Sequence, residues 1–284
     1  MTWRGYRVVA VTPAGRKRYL ELLFPQILNY KIFDEYQLWK NTTNEEDLAY
    51  MDSLQEQYPG FVRARTCGIP VNGNRSIHYF FKECVEDNTI YVRFDDDVVM
   101  LDTIEAFKSF LDFRIDNKNY FLVYPTILNN AIVSHILMRL GKIPRIQKTC
   151  YHILDRAAWG NPEFARHLHD YVLAQPDLSS FRFGGKWDLL DYEQTSINCI
   201  SWLGKEFREA CNGDVDPDEE PWLSTNFPAS KGLLNCIYGD YCVVHYSFFT
   251  QRELLDRQGY TEKYKQKLAE RNEGMFPSVP PERQ

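Results

Sequence analysis

Tyr91-Val92-Arg93-Phe94-Asp95-Asp96-Asp97-Val98-Val99-Met100 is the stretch that decides the fold. The residues up to Phe94 form a short, mostly apolar run, as in a strand buried on both faces. Three carboxylates follow at once, where such a strand should end. In an extended chain Asp95 and Asp97 point to one side and Asp96 to the other. Like charges this close cost free energy unless a cation or hydrogen-bond donors offset them. Two same-face carboxylates at a strand's C-terminal edge make a hard oxygen site suited to Mg²⁺ or Mn²⁺. In open α/β sheets, ligands bind at that edge. The plainer alternative is a solvated acidic turn before the helix that follows Leu101, and D-x-D alone does not choose between the two.

Working outward, strand and helix patterns alternate through the first 125 residues. A β-branched run at 7–11 meets a turn at Thr12-Pro13-Ala14-Gly15. A helix is expected over 16–29, where Leu20, Leu23, Phe24, Ile27 and Leu28 make one apolar face. Strands are expected at 35–40, 61–66, 89–94 and 120–124. Helices are expected from Asn44, a plausible N-cap with acids in the first turn, over 75–85, and from 102 or 103 to 113. Strands separated by helices indicate a parallel sheet with helices on its faces. The second half is less regular. Helices are expected at 131–140, 161–174 and 193–211, an acidic loop at 214–220, a strand at 241–248, a terminal helix at 261–271 and a tail at 278–281.

The chain has 284 residues, 44% hydrophobic and 25% charged, with a net charge of -6. These are ordinary globular values and exclude a wholly disordered or coiled-coil chain. No apolar run approaches the ~18 residues that span a bilayer. No signal-peptide pattern opens the sequence, so a cytoplasmic protein without a transmembrane segment is expected. The acidic balance argues against indiscriminate nucleic-acid binding. Seven cysteines, an odd number with no C-x-x-C pair, read as reduced thiols rather than a disulfide framework or zinc site.

Two further stretches can carry chemistry. In Cys242-Val243-Val244-His245-Tyr246-Ser247, His245 interrupts an apolar strand. A lone buried histidine is usually hydrogen-bonded to backbone, yet imidazole is also a good ligand for Mn²⁺-type ions. Asp214-Val215-Asp216-Pro217-Asp218-Glu219-Glu220 begins like a calcium loop. It has Glu219 where that loop needs glycine and Thr225 where it needs an acid, so the calcium reading fails. A carboxylate opening the helix at Pro221-Trp222 suits a general base instead.

A D-x-D at the end of a central strand, an acidic pair before Trp-Leu, and a late histidine-bearing strand together resemble the GT-A glycosyltransferases, in particular their small viral and bacterial members. The resemblance covers about 7–255. It implies a single α/β catalytic domain over 1–255 with a Rossmann-like, mixed and mostly parallel sheet, helices on both faces, and a terminal helix and tail at 256–284. Residues 1–125 would bind the nucleotide and 126–255 the acceptor. Asp97 and His245 would ligate the ion, with Asp95 contacting it or the donor ribose and Asp96 beside them. Thr12, Pro13, Ala14 and Gly15 would hold the nucleotide, and Trp39, Asn41, Thr42, Asn72 and Arg75 would surround its base. Arg16, Lys17 and Arg18 could add positive charge near the phosphates. Glu219 or Glu220 would deprotonate the acceptor in an inverting reaction. The pair is Glu-Glu where the family has Glu-Asp.

The expected activity is transfer of a sugar from a nucleotide-sugar, a UDP-sugar by preference, to a hydroxyl on a glycan, a lipid-linked, a protein or a modified-DNA acceptor. For DNA, Lys142, Arg145 and Lys148 with the segment 182–186 would meet phosphates. The competing readings are a non-catalytic nucleotide-binding module and a metal-dependent phosphatase or nuclease. Oligomeric state is left open.

Overall fold

A computed structural model describes residues 2–271, and the tail expected at 278–281 lies outside them. β1 (Arg7–Ala14), α1 (Lys17–Tyr30), β2 (Glu35–Lys40), α2 (Glu45–Gln57) and β3 (Val62–Thr66) alternate as expected. The short α3 (Asn74–Ile77) and a 3-10 turn (His78–Glu83) lead to β4 (Thr89–Phe94). β5 (Val98–Leu101), α4 (Ile104–Asp116), β6 (Tyr120–Leu128) and α5 (Ala131–Arg139) follow. The second half contains α6 (Pro162–Leu173), β7 (Lys186–Leu189), β8 (Cys199–Leu203) and α7 (Gly204–Cys211). After these come α8 (Glu219–Pro221), a π turn (Trp222–Asn226), α9 (Phe227–Lys231), β9 (Leu234–His245), α10 (Phe249–Arg257) and α11 (Tyr260–Arg271).

All nine strands form one sheet in the order β3-β2-β1-β4-β8-β6-β9-β5, with β7 also paired to β9. From β3 to β4 every pairing is parallel. β8 runs antiparallel to β4 and β6, β9 runs parallel to β6, and β5 and β7 run antiparallel to β9. The result is an α/β protein with a mixed, Rossmann-like sheet flanked by helices.

Local chemistry explains the regular half. The Asn44 side chain accepts the Glu46 and Asp47 amides at 2.9 and 3.1 Å, capping α2. α1 buries Leu20, Leu23, Phe24 and Ile27 against the sheet, and with them one polar side chain, Gln26. Its amide donates to the Val99 carbonyl at 3.2 Å, and its oxygen accepts the Leu101 N–H at 2.8 Å. Arg271 of α11 donates to the Leu101 carbonyl at 2.6 Å. The outer side of β5 is thus bonded to side chains.

Three sequence expectations change. Residues 193–211 are not one helix: β8 occupies 199–203 and only 204–211 is helical. The cause is the buried run Cys199-Ile200-Ser201-Trp202-Leu203, which completes the sheet between β4 and β6. Gly204 marks the switch, because a Cβ there would lie 2.2 Å from the Glu86 carbonyl oxygen. The helix expected at 75–85 is a short α3 followed by 3-10 structure, in which His78, Phe80 and Phe81 are buried and the two phenyl rings stack. The late strand starts earlier, at Leu234, and ends at His245 rather than Phe248. All seven cysteines are free. No helix among the described residues is long and apolar enough to cross a membrane.

Candidate active site

β1 lies between β2 and β4, so the crossover connections leave in opposite directions at the β1/β4 boundary. In open α/β sheets, ligands bind at such a switch point, outside the strands' C-terminal ends. β1 ends there in Gly15 and Arg16, and β4 ends there in the three aspartates. The aspartates are not extended. Asp96 and Asp97 form a turn closed by the Val98 N–H donating to the Asp95 carbonyl at 3.0 Å. The expected alternation of faces is therefore replaced by a fan of three side chains, two of which share Arg16.

Asp96 faces back to β1. It accepts the Gly15 N–H at 3.0 Å and is ion-paired with Arg16. Asp97 is almost fully buried and meets three groups. Arg16 Nη2 lies 3.0 Å and Arg252 Nη2 3.3 Å from its Oδ2, and His245 Nε2 lies 3.7 Å from its Oδ1. Burial opposes ionisation of Asp97, but Arg16, His245 and Arg252 outweigh it and hold the carboxyl well below its usual range. Asp95 accepts from Arg93 Nε at 2.9 Å and from Asn198 Nδ2 at 3.2 Å. Burial raises its pKa despite Arg93, and the charges of Asp97 and Glu219 add to the rise.

His245 sits where β9 pairs with β5, opposite Val98. Its Nδ1 is 3.0 Å from the Asn129 carbonyl oxygen, which can only accept, so Nδ1 carries a proton. Nε2 then presents to Asp97 either a lone pair or a second proton. Burial lowers the imidazole's basicity, but the neighbouring Asp97 carboxylate more than restores it, and the net direction is upward. A lone pair facing a carboxylate is repulsive, so this contact calls for a proton or a cation between the two.

The acidic pair enters from α8. Arg93, fully buried in β4, bridges Asp95 and Glu219, whose Oε1 is 2.9 Å from its Nη2. Glu219 Oε2 is buried and has no hydrogen-bond partner. Glu220 is half-buried. Burial pushes its pKa up to about 7, the Ser196 hydroxyl opposes the rise, and the charges of Asp95 and Glu219 add to it. A carboxylate tuned this way is suited to general-base work near neutral pH.

The residues expected around a nucleotide fall into two sets. Gly15, Asn41, Thr42, Asn72 and Arg75 gather at the ends of β1 and β2. Asn41 N–H donates to the Ala14 carbonyl at 2.7 Å, and Ser76 Oγ donates to Asn41 Oδ1 at 2.8 Å and accepts the Asn72 N–H at 2.9 Å. A Cβ on Gly15 would sit 3.0 Å from the Asn41 carbonyl, so the close approach of the two strand ends uses the glycine. The second set points into the core. Thr12 is fully buried and accepts the Tyr36 hydroxyl at 2.9 Å, and Pro13 and Ala14 continue β1 rather than turning. Trp39 is buried, donates to Gln37 at 3.1 Å and packs under the Arg65 guanidinium. It borders a cavity of about 530 Å³ shared with Arg63, Arg65, Tyr79 and Lys82. A second cavity of about 380 Å³ lies against Arg16, Lys17 and Arg18 and is lined on its other side by Glu21, Glu46 and Asp47.

Arg93 and Arg252 were not among the expected site residues. Arg93 had a signal, a lone guanidinium inside an apolar strand, which requires buried acidic partners. Arg252 had none, because α10 brings it to Asp97 through the tertiary fold.

No protein-family model matches the chain, and no curated protein matches it. Among solved structures it is similar to a 4-diphosphocytidyl-2C-methyl-D-erythritol synthase from Anaerococcus prevotii, at 16% identity and a TM-score of 0.32 over 44% of this chain and 57% of that one. A mannose-6-phosphate isomerase from Helicobacter pylori is 13% identical, with a TM-score of 0.32 over 43% of this chain and 50% of that one. The chain thus spans only about half the length of these two. An apo UDP-glucose pyrophosphorylase is 8% identical, with a TM-score of 0.49 over 94% of this chain and all of that one. At these values the likenesses assign no activity.

Proposed function

We propose that this protein is a glycosyltransferase that moves a sugar from a nucleotide-sugar, a UDP-sugar by preference, to an acceptor hydroxyl with inversion. The observation that carries the reading is the meeting, at the switch point of the sheet, of the Asp97–His245 pair with an acidic pair held to the same cluster through Arg93. In this reading the donor diphosphate lies over Gly15 and Arg16. Arg16 and Arg252 face the negative charge that grows on it as the sugar–phosphate bond breaks. Glu220 takes the acceptor's proton while the new bond forms at the sugar's anomeric carbon. Glu219, fixed by Arg93, holds Glu220's surroundings in place. Asp95 and Asp96 act as positioning residues, the first for Arg93 and the second for the Gly15–Arg16 turn.

The fit of a divalent ion rests on two side chains. The lone pair or proton of His245 Nε2 facing Asp97 marks a position for positive charge, and Mg²⁺ or Mn²⁺ is commonly held by one or two protein ligands plus substrate phosphates. Asp97 and His245 would hold it. Asp95 would not, since Arg93 and Asn198 already engage both of its oxygens. Among the described residues no group of three or more His, Cys, Asp and Glu is arranged as a complete site. When bound, the ion supplies Lewis-acid neutralisation of the diphosphate.

The test is thermal-shift binding of Mn²⁺ with a panel of nucleotide sugars, followed by donor turnover. Wild type should be stabilised by Mn²⁺ plus one donor, and Asp97→Ala should lose both the Mn²⁺-dependent shift and turnover. A panel with no shift, or an Asp97→Ala variant with unchanged activity, would refute the reading.

A further inference from the structure

The face formed by residues 139–156 has a charge unlike that of the rest of the chain. It carries five basic side chains, Arg139, Lys142, Arg145, Lys148 and Arg156, in a protein whose net charge is -6. None of the five has an ion pair or side-chain hydrogen bond among the described residues. The one acid of the segment, Asp155, is buried and turned inward. It accepts the Cys150 N–H at 2.7 Å and the Ala157 and Ala158 N–H groups at 3.0 and 2.7 Å. The exposed residues of the segment therefore include no carboxylate.

Two large apolar side chains of the same segment are exposed as well. Leu140 is 45% and Leu154 56% exposed. Leu140 sits between Arg139 and Lys142 on a tight turn whose Gly141 has φ +69°, and the buried Ile143 fixes the base of that turn. Behind it a groove of about 490 Å³ is lined by His135, Met138, Arg145 and Lys148. Tyr151 continues the surface and accepts Trp187 Nε1–H at 3.0 Å. Asp188, Asp191 and Glu193 follow Trp187 in sequence and return negative charge, which bounds the patch on that side.

We propose that this face docks on an anionic phospholipid surface. The cations would meet headgroup phosphates, and Leu140 and Leu154 would enter the interface. Unpaired cations combined with exposed leucines in one segment are what interfacial binding needs. A duplex nucleic acid would use the cations but not the leucines. It would also want a wider basic surface, and Arg182 and Lys186, which could have widened it, are neutralised by Asp102 and Asp188. The nine residues of α5 run from the Asn129–Asn130 corner beside His245 to this face, so about 14 Å of helix separates the two. The proposal does not depend on the sugar-transfer reading.

The experiment is co-sedimentation of the full chain with vesicles of phosphatidylcholine alone and of phosphatidylcholine mixed with phosphatidylglycerol. Binding is expected only to the mixed vesicles, weakening as salt is raised. Each cation is worth roughly a fivefold factor in affinity near an anionic surface. Arg145→Glu with Lys148→Glu should therefore reduce binding at least about 25-fold. Leu140→Ser with Leu154→Ser should reduce it several-fold, with melting curves unchanged because all four side chains are exposed. The proposal is overturned by absence of binding to mixed vesicles, by vesicle binding indifferent to the charge reversals, or by duplex DNA binding the wild type and the leucine variant equally well and displacing the vesicles.

Discussion

The β3-β2-β1-β4 half and the β8-β6-β9-β5 half share one sheet but are built on different principles. In the first, β1, β2 and β3 follow one another through single-helix crossovers, β4 returns to the other side of β1, and every pairing is parallel. In the second, the strands that meet come from distant parts of the chain: β8 inserts antiparallel between β4 and β6, and β9 crosses back to pair with β5, β6 and β7. The aspartate turn comes from the seam between the halves. The regular half supplies the frame and two of the counter-charges, Arg16 and Arg93. The irregular half adds His245 and Arg252 at Asp97 and brings Glu219 to Arg93.

The largest effect should come from breaking the seam. Arg93 lies in β4 opposite Ile200 of β8 and carries the charges of both Asp95 and Glu219. Arg93→Ala leaves two buried carboxylates without a counter-charge and should cost about 3–5 kcal/mol, read from urea unfolding. A cost below about 1 kcal/mol would mean that the halves are joined by apolar packing alone.

Next in size is the division of labour between the two glutamates. Glu220→Gln should lower transfer by about 100-fold or more while leaving donor binding intact. Glu219→Gln should chiefly disturb the Arg93 bridge and show up in stability. Equal losses of transfer without a change in melting would break the assignment. The pH dependence sharpens it. Because Glu220 must be ionised to act, transfer should fall as pH drops through about 7. Stability moves the opposite way. Its folded pKa of about 7 lies above the ordinary 4.5, so this carboxyl's cost to the folded state is absent at low pH and grows as pH rises from 4.5 to 7. Glu220→Gln should therefore raise the melting temperature relative to wild type at pH 8 and not at pH 4.

The smallest effect belongs to the regular half. Asn44→Ala removes the cap of α2 and should cost about 1 kcal/mol in thermal unfolding with transfer unchanged. A loss of transfer there would tie the frame to the chemistry more closely than the geometry does.

The same contrast explains what the sequence made legible. The strands at 35–40 and 89–94 could be read to the residue, and the Asn44 cap with them, because pattern and capping are local properties. The strand at 199–203 could not, because its apolar run fits a helix as well until β4 and β6 are known to flank it. Asp97, His245, Glu219 and Glu220 were visible as unusual residues in the right elements. That Asp95 and Asp96 would be bound to Arg93 and Arg16 was not, since the turn at Asp96–Asp97 overrides strand alternation. Thr12 and Trp39 stood near the strand ends, but their partners, Tyr36 of the neighbouring strand for Thr12 and Gln37 of its own strand for Trp39, could not be read from pattern alone.

Gln26 and Arg271 give the outermost strand an unusual finish. A primary amide reproduces the donor–acceptor pair of a peptide group, so α1 offers β5 a ladder rung without offering it another strand. The guanidinium of Arg271 fills the adjacent carbonyl. A foreign extended segment arriving at this margin would have to displace those contacts before it could register, which protects the sheet there against strand-by-strand growth into aggregates.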